Sequence, residues 1–379
     1  MQHPRGISPQ LIALETPLPP PPPLDPVTTT AAPQPAVNPS PFLATCRGEV
    51  CPRRPIWLMR QAGRILEPYR RLKEEMGALE QMFRNPEIAA RVTLMPVEML
   101  GVDAAILFAD IFTPVDAMGC EVTFAPGPIP AFAVREPDDV ARLHDIDAEA
   151  NLGYVGEILE AVRAQLPATV ALIGFAGAPV TLATYLAEGP SGGREFTIFR
   201  RMLRRDPETT HRLLDQLTSV CIDYLTLQTA HGAQALQLFD TWIGSLSAAD
   251  FAEFSLPRLQ RIFAVVRELD VPSIYYANNA AHLMPMLDQV GADVLSLDWR
   301  IDLSKAFTRF DGKPLQGNLD PCALFGSPKQ VTAETRNLLD GTQSRPHIVN
   351  LGHGVHPDTP IEAVQAMIDA THSYKSDSE

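Results

Sequence analysis

The chain has 379 residues, 45% of them hydrophobic and 20% charged, with a formal net charge of −14 at pH 7. That size admits one large α/β barrel or two ordinary domains, and the composition is that of a globular protein with a sizeable core. The acidic balance argues against broad binding to nucleic acid or an anionic membrane, so an anionic ligand must meet basic groups gathered locally.

The first 41 residues hold 13 of the 36 prolines, including the run Pro19–Pro23, and almost no charge. Such a segment buries too little apolar surface to offset its ordering entropy, which predicts a disordered, partly polyproline-like tail over 1–41. It has no apolar core of about 7–15 residues and few arginines, so neither a secretory signal nor an organelle transit peptide is expected. Cysteines at 46, 51, 120, 221 and 322 form no Cys-x-x-Cys or His-x-Cys. They read as reduced thiols in a reducing compartment, and the expected location is the cytoplasm.

From residue 42 onward, short β-like runs alternate with longer amphipathic ones. The predicted strands are 54–60, 103–110, 169–176, 233–240, 271–277, 293–298, 314–318 and 347–352. Helical stretches are predicted at 85–100, 149–165, 195–231, 247–269, 279–290, 328–340 and 360–373. About eight strands, each followed by a helical segment, predict a single-domain (β/α)8 TIM-type barrel over 42–379. The longest apolar stretch, Ala171–Ala187, is broken by Gly174, Gly177 and Pro179, so no membrane span is expected. No Gly-x-Gly-x-x-Gly follows a strand, which weakens a nucleotide-binding reading.

Taken in chain order, the first strand opens into Arg60-Gln61-Ala62-Gly63-Arg64. Arginine presents a planar fork that grips carboxylates in pairs, and two such forks on a glycine-loosened turn suit a polycarboxylate. Arg70, Arg71 and Lys73 add positive charge just beyond. Asp110 ends an apolar strand, where a carboxylate needs a donor or a cation; a salt bridge to Arg60 or Arg64 is the structural alternative. Tyr185 follows the Gly/Pro-rich turn 174–179, whose helix N–H groups suit an anion, although a tyrosine there also reads as core-edge packing. Asp240 and Asp298, at later strand ends, read singly as caps of the next helix, while the joint pattern of polar groups at strand ends points to a site. Asn318 ends the seventh strand, and His353 stands between Gly352 and Gly354 after the eighth, able to bond a carboxylate or move a proton. His353 and His356 have no third ligand near them in sequence, which speaks against a metal.

These segments occur in a recognisable order. Arg60-Gln61-Ala62-Gly63-Arg64, Ile106-Leu107-Phe108-Ala109-Asp110-Ile111, Gly174-Phe175-Ala176-Gly177-Ala178-Pro179 with Thr181 and Tyr185, Leu238-Phe239-Asp240-Thr241-Trp242, Gly317-Asn318-Leu319-Asp320-Pro321 and Asn350-Leu351-Gly352-His353-Gly354 together resemble the uroporphyrinogen decarboxylase family. The resemblance covers about residues 42–372. It implies a homodimeric barrel that converts the four acetate side chains of uroporphyrinogen to methyls, giving coproporphyrinogen, with no metal or organic cofactor. It assigns Asp110 to stabilising a protonated pyrrole, and Arg60 and Arg64 to the substrate carboxylates, with Arg60 also suggested as the acid. Gln61, Ala62 and Gly63 go with that substrate-binding segment, and Tyr185, Thr241 and His353 form the remaining polar wall.

The chemistry suits this proposal, because a pyrrole protonated on carbon is its own electron sink and needs no separate one. An arginine is a poor acid, so Arg60 is expected to anchor a carboxylate while water or another group relays the proton. The chain departs from the family pattern at Glu67-Pro68, whose order is inverted, at Lys73, and at 276–282, which lacks the usual glycines. A methyltransferase of the same superfamily, which would hold zinc through His-x-Cys, and a non-catalytic tetrapyrrole-binding barrel are the alternatives.

Overall fold

The structure, a computed structural model, describes residues 40–124, 127–189 and 195–375. The tail expected over 1–41 therefore lies outside the described residues except for its last two. Ser40 stands just before, and Pro41 begins, the helix Pro41–Cys46.

Nine strands are described: β1 (Ala104–Ile106), β2 (Val122–Thr123), β3 (Ile129–Pro130), β4 (Ala171–Gly177), β5 (Ala235–Asp240), β6 (Ser273–Ala277), β7 (Val294–Leu297), β8 (Leu315–Leu319) and β9 (His347–Leu351). All but β2 and β3 form one parallel sheet in the order β1-β4-β5-β6-β7-β8-β9. β2 and β3 make a small antiparallel hairpin that the sequence pattern did not announce.

The first stave, which completes the eight, is the expected strand at 54–60; it appears as a single parallel bridge between Ile56 and Val349. Its backbone nonetheless closes the ring. Trp57 N–H donates to Val349 O at 3.3 Å and Val349 N–H to Pro55 O at 2.9 Å, while Asp103 N–H reaches Ile56 O at 2.8 Å. The segment thus joins β9 to β1, giving the expected (β/α)8 barrel. Asp103, on the N-terminal side, fixes this seam by accepting from Ile56 N–H at 2.9 Å and pairing with Arg53 and His372.

Most predicted strands match within two or three residues, because their apolar runs are buried on both faces as parallel strands require. The barrel interior also carries a polar layer. Trp57 Nε1 donates to Gln316 Oε1 at 2.9 Å, and Gln316 Nε2 donates to Gln237 Oε1 at 3.1 Å and Ser296 Oγ at 2.9 Å. Four staves are thereby tied across the core by hydrogen bonds between buried groups, although Gln237 Nε2 has no partner among the described residues.

The helices correct the sequence reading in two places. The stretch 195–231 is two helices, Thr197–Arg205 and Pro207–Ala230. Asp206 is the hinge: the residue before a proline avoids helical backbone, and its side chain caps the second helix through Thr209 N–H at 3.0 Å. The stretch 279–290 is no continuous helix but short turns, Ala281–Leu283, Met284–Leu287 and Asp288–Val290. Asn279 has φ 54° and Pro285 interrupts the backbone ladder, so a regular helix cannot run through.

Candidate active site

The candidate side chains gather at the C-terminal end of the staves, where barrel loops converge: Asp240 and Asn318 at strand ends, Tyr185 on the helix after β4, and the others on the loops. A separate cleft of about 690 Å³, lined by Arg47, Arg267, Asp293 and Lys313 among others, opens at the opposite, N-terminal end and takes no part in this cluster.

Arg60 leaves the first stave with φ 64°, a left-handed conformation that costs a non-glycine residue about 1 kcal/mol. It is exposed and makes no hydrogen bond or ion pair with any described residue. Its side chain lies along Gly354, where an added Cβ would stand 2.7 Å from Arg60 Cδ. Arg64 is half-buried; its Nη1 donates to Val355 O at 2.8 Å. Burial, then the Arg60 charge, lower its pKa to about 10, still charged at neutral pH.

Gln61 is fully buried and faces away from the mouth. Its Oε1 accepts from Leu58 N–H and its Nε2 donates to Ala104 O, each at 3.0 Å. Ala62 is buried beside it, and Gly63 lies near the Phe108 ring. This middle of the motif is therefore a splint holding the arginine turn against β1. Beyond it, the inverted Glu67-Pro68 pair begins the helix Glu67–Met76, with an acid and a proline where a first turn favours both. Arg71 pairs with Glu67 on that helix, while Arg70 donates back to Ile65 O at 3.2 Å.

Asp110 forms no ion pair with Arg60, Arg64 or any other described residue. Its Oδ1 accepts from Phe112 N–H at 2.9 Å, and its own N–H meets Thr113 Oγ1 at 3.3 Å. Burial raises its pKa to about 6, against the opposing pull of Phe112 N–H and the Arg60 charge. A desolvated carboxylate with no ion-pair partner among the described residues is ready for N–H donors or a cation.

Tyr185, on the helix Pro179–Glu188, meets Phe112 and Trp242 edge-on, with ring centres 5.4 and 5.8 Å away. Burial raises its phenol above the usual value, and Trp242 and Arg60 pull it back. Thr241 is half-buried after β5; its carbonyl accepts Asn278 Nδ2 at 3.0 Å. Its hydroxyl finds no partner among the described residues.

His353 follows β9, its ring 6.2 Å from Tyr276 and 6.4 Å from Trp299. Burial first, then the charges of Arg60, Arg64, His356 and Arg300, hold its pKa at about 4, so it is neutral at neutral pH. Its Nδ1 accepts from Gly354 N–H at 2.6 Å, which leaves Nε2 to carry the proton and donate.

Asp240 and Asp298 are neither free site groups nor helix caps. Asp240 is wholly buried and accepts from Thr181 Oγ1 at 2.7 Å and Tyr275 OH at 2.8 Å. Thr181 Oγ1 in turn accepts Trp242 N–H at 3.1 Å, so this carboxylate fixes the loop bearing Thr241. Asp298, equally buried, accepts from Asn279 N–H at 2.6 Å and from Arg300. Asn318 Nδ2 donates to Asp298 O at 2.9 Å and Ile301 O at 2.7 Å, joining the same scaffold.

Arg300 with Trp299, and Tyr276, line this end of the barrel without having been singled out from sequence. The available signal is the Asp298-Trp299-Arg300 run just past β7, where nothing in the sequence separates Arg300 from ordinary surface charge. Among the described residues, no group of three or more His, Cys, Asp or Glu side chains is placed to hold a metal ion, and no helix is long and apolar enough to cross a membrane.

The fold is shared with a methyltransferase from Methanosarcina mazei, at TM-score 0.74 and 22% identity over 87% of this chain and 97% of that one. It is shared more distantly with a B12-independent methionine synthase from Shewanella, at TM-score 0.53 and 12% identity over 77% and 88% of the two chains. Sequence relatives are much nearer. The uroporphyrinogen decarboxylase of Carboxydothermus hydrogenoformans is 42% identical over 88% of this chain and 96% of its own length. That of Chloroflexus aurantiacus is 41% identical over 88% and 95%. The family model described as uroporphyrinogen decarboxylase matches residues 38–374, and on that match and those identities the chain belongs to the uroporphyrinogen decarboxylase family.

Proposed function

We propose that the protein removes the four acetate carboxyls of uroporphyrinogen III as CO2 and leaves methyls, giving coproporphyrinogen III, with Asp110 as the group that makes the chemistry affordable. One observation carries this reading: a desolvated Asp110 carboxylate and an unpartnered Arg60 guanidinium stand at one barrel mouth without pairing to each other. Two opposite charges left apart in a folded enzyme suit a ligand that needs both, here pyrrole N–H groups and carboxylates.

The electron flow needs no separate sink. A proton adds to the ring carbon beside the one bearing the acetate, giving a pyrrole cation delocalised onto nitrogen. The bond from the acetate methylene to its carboxyl then breaks, CO2 leaves, and the electron pair flows through the ring to neutralise that nitrogen. A proton adds to the resulting exocyclic methylene to make the methyl, and the ring carbon releases its proton. Each round consumes one proton and releases one CO2. Asp110 accepts from the pyrrole N–H groups and stabilises the cation in a site where burial strengthens electrostatics. Arg60 grips a carboxylate with its fork and Arg64 adds charge behind it. Neutral His353 donates from Nε2 to a carboxylate, and Tyr185 and Thr241 offer hydroxyls to the opposite edge. Water or another group delivers the protons, because a guanidinium is too weak an acid.

The residues 42–379 act as one catalytic domain in this reading, and by resemblance to the family the working form is a homodimer in the cytoplasm, which analytical ultracentrifugation and fractionation test. The activity itself is tested by incubating the protein with uroporphyrinogen III without oxygen or added metal and separating the products by carboxyl number. Coproporphyrinogen III is the expected product. Unchanged uroporphyrinogen that nevertheless binds would indicate a tetrapyrrole carrier instead.

A further inference from the structure

We propose that Arg300 is a second substrate anchor that takes a propionate carboxylate on the side of the mouth opposite Asp110; this rests on the tetrapyrrole reading above. Counted round the barrel from the 55–59 segment, Asp110 follows the second stave, β1, and Arg300 follows the sixth, β7. In a closed ring of eight, those two loops face each other across the mouth.

Arg300 is held, not loose. Its Nη1 donates to Asp298 Oδ1 at 3.1 Å and its backbone N–H to the same oxygen at 3.0 Å. Its guanidinium lies 3.8 Å over the Trp299 ring. Trp299 in turn packs on the His353 turn so closely that a Cβ at Gly352 would stand 2.3 Å from Trp299 N. The charge therefore belongs to the wall that carries His353.

Only one corner of the fork is used. Nε and Nη2 find no acceptor among the described residues, and the side chain is 46% exposed. A planar fork with one corner pinned, one face stacked and its Nε–Nη2 edge open suits a carboxylate bound by two parallel hydrogen bonds. Buried Asp298 does not cancel this role, because it is also committed to Asn279 N–H at 2.6 Å.

The choice of propionate follows from the shape of the ligand. A tetrapyrrole whose N–H groups face Asp110 carries its carboxylates on the periphery, which is what a group across the mouth meets. Acetates vanish as the reaction proceeds, whereas propionates persist, so a fixed charge on the far wall keeps its partner through every round only if that partner is a propionate.

The test compares wild type, Arg300→Gln and Arg300→Lys. It reads KM and kcat for uroporphyrinogen III and for the porphyrinogen with one acetate left, and the Kd for coproporphyrinogen III. In Arg300→Gln, KM is expected to rise about tenfold or more for both substrates, with kcat within about threefold. Coproporphyrinogen III should lose affinity by a similar factor, and Lys should restore only part of it, having the charge without the fork. Unchanged KM in a normally melting Arg300→Gln protein overturns the proposal, and a penalty absent for coproporphyrinogen III overturns the choice of propionate. If Arg300→Gln does not fold, Arg300→Lys carries the test: severalfold weaker binding supports the anchor and unchanged binding overturns it. Wild-type protein that releases no CO2 from uroporphyrinogen III would count against the proposed function, while coproporphyrinogen binding would still report on Arg300.

Discussion

Arg60 lies along Gly354, so close that a Cβ at 354 would stand 2.7 Å from Arg60 Cδ and 3.0 Å from its Cγ. The two most characteristic motifs of the sequence, one early and one late in the chain, thus meet in a single contact at one mouth of the barrel. The glycine is there to give the arginine its path. Gly354→Ala is expected to displace the guanidinium while leaving stability within about 1 kcal/mol, because the obstructed atoms belong to a mobile side chain. Steady-state kinetics should show KM for uroporphyrinogen III rising about tenfold, and an unchanged KM would contradict the contact's role.

Arg60→Lys separates the fork from the charge. Lysine at 60 meets the same left-handed backbone, with φ 64° in the present chain, so backbone cost is held nearly constant. Loss of the paired hydrogen bonds should lower kcat/KM by about 10- to 100-fold, mostly through KM. Near-normal turnover would remove the bidentate anchor from the account.

Gln61 is predicted to matter for stability first. Truncation to alanine strands Leu58 N–H and Ala104 O, both buried, and should cost about 1–3 kcal/mol in chemical denaturation. Activity of the remaining folded protein should fall through a loosened arginine turn. A variant as stable as wild type would show that other groups or water satisfy the turn.

Much of this was legible from sequence, and the limits have physical causes. Strands such as 314–318 and 347–352 announce themselves because a parallel strand buried on both faces is a short, unbroken apolar run. The sequence put Arg60, Asp110 and His353 just past strand ends, and a barrel brings such positions to one mouth whichever strands they follow. The first stave was overdrawn, since the 54–60 run pairs by only a few backbone bonds. Gln61 looked like a ligand because sequence cannot tell a side chain turned outward from one turned into the wall. Asp240 and Asp298 resisted for the converse reason: whether a strand-end carboxylate serves a ligand or a neighbouring loop depends on partners such as Tyr275 and Arg300, which lie far off in the chain. Arg300 was missed because its stacking and its pinned corner exist only once the loop after β7 is folded.

Burial of Asp110 should also be visible in the pH dependence of stability. An unfolded aspartate ionises near pH 3.8, whereas burial raises the folded one to about 6. Between those values the folded state holds the extra proton, so this group's contribution to stability falls as pH rises through that window and then levels off. Asp240, raised by burial to about 6 despite its two hydroxyl donors, acts in the same direction. Asp110→Asn removes the penalty and should be more stable than wild type near pH 7, by up to about 2 kcal/mol, with the difference vanishing near pH 4. Denaturation midpoints taken across pH 4–7 check both signs.

The most direct test of the central claim is single-turnover decarboxylation of uroporphyrinogen III, without oxygen, by Asp110→Asn beside wild type, following CO2 release once binding has been confirmed for both. Asparagine keeps the size and the bond from Phe112 N–H but loses the charge that faces the pyrrole cation. Binding with CO2 release slowed by a factor of about 100 or more is the predicted result, alongside a wild-type rate that falls as pH drops below about 6. Release by Asp110→Asn within a few-fold of wild type would contradict the account and move the chemistry to another group at the barrel mouth.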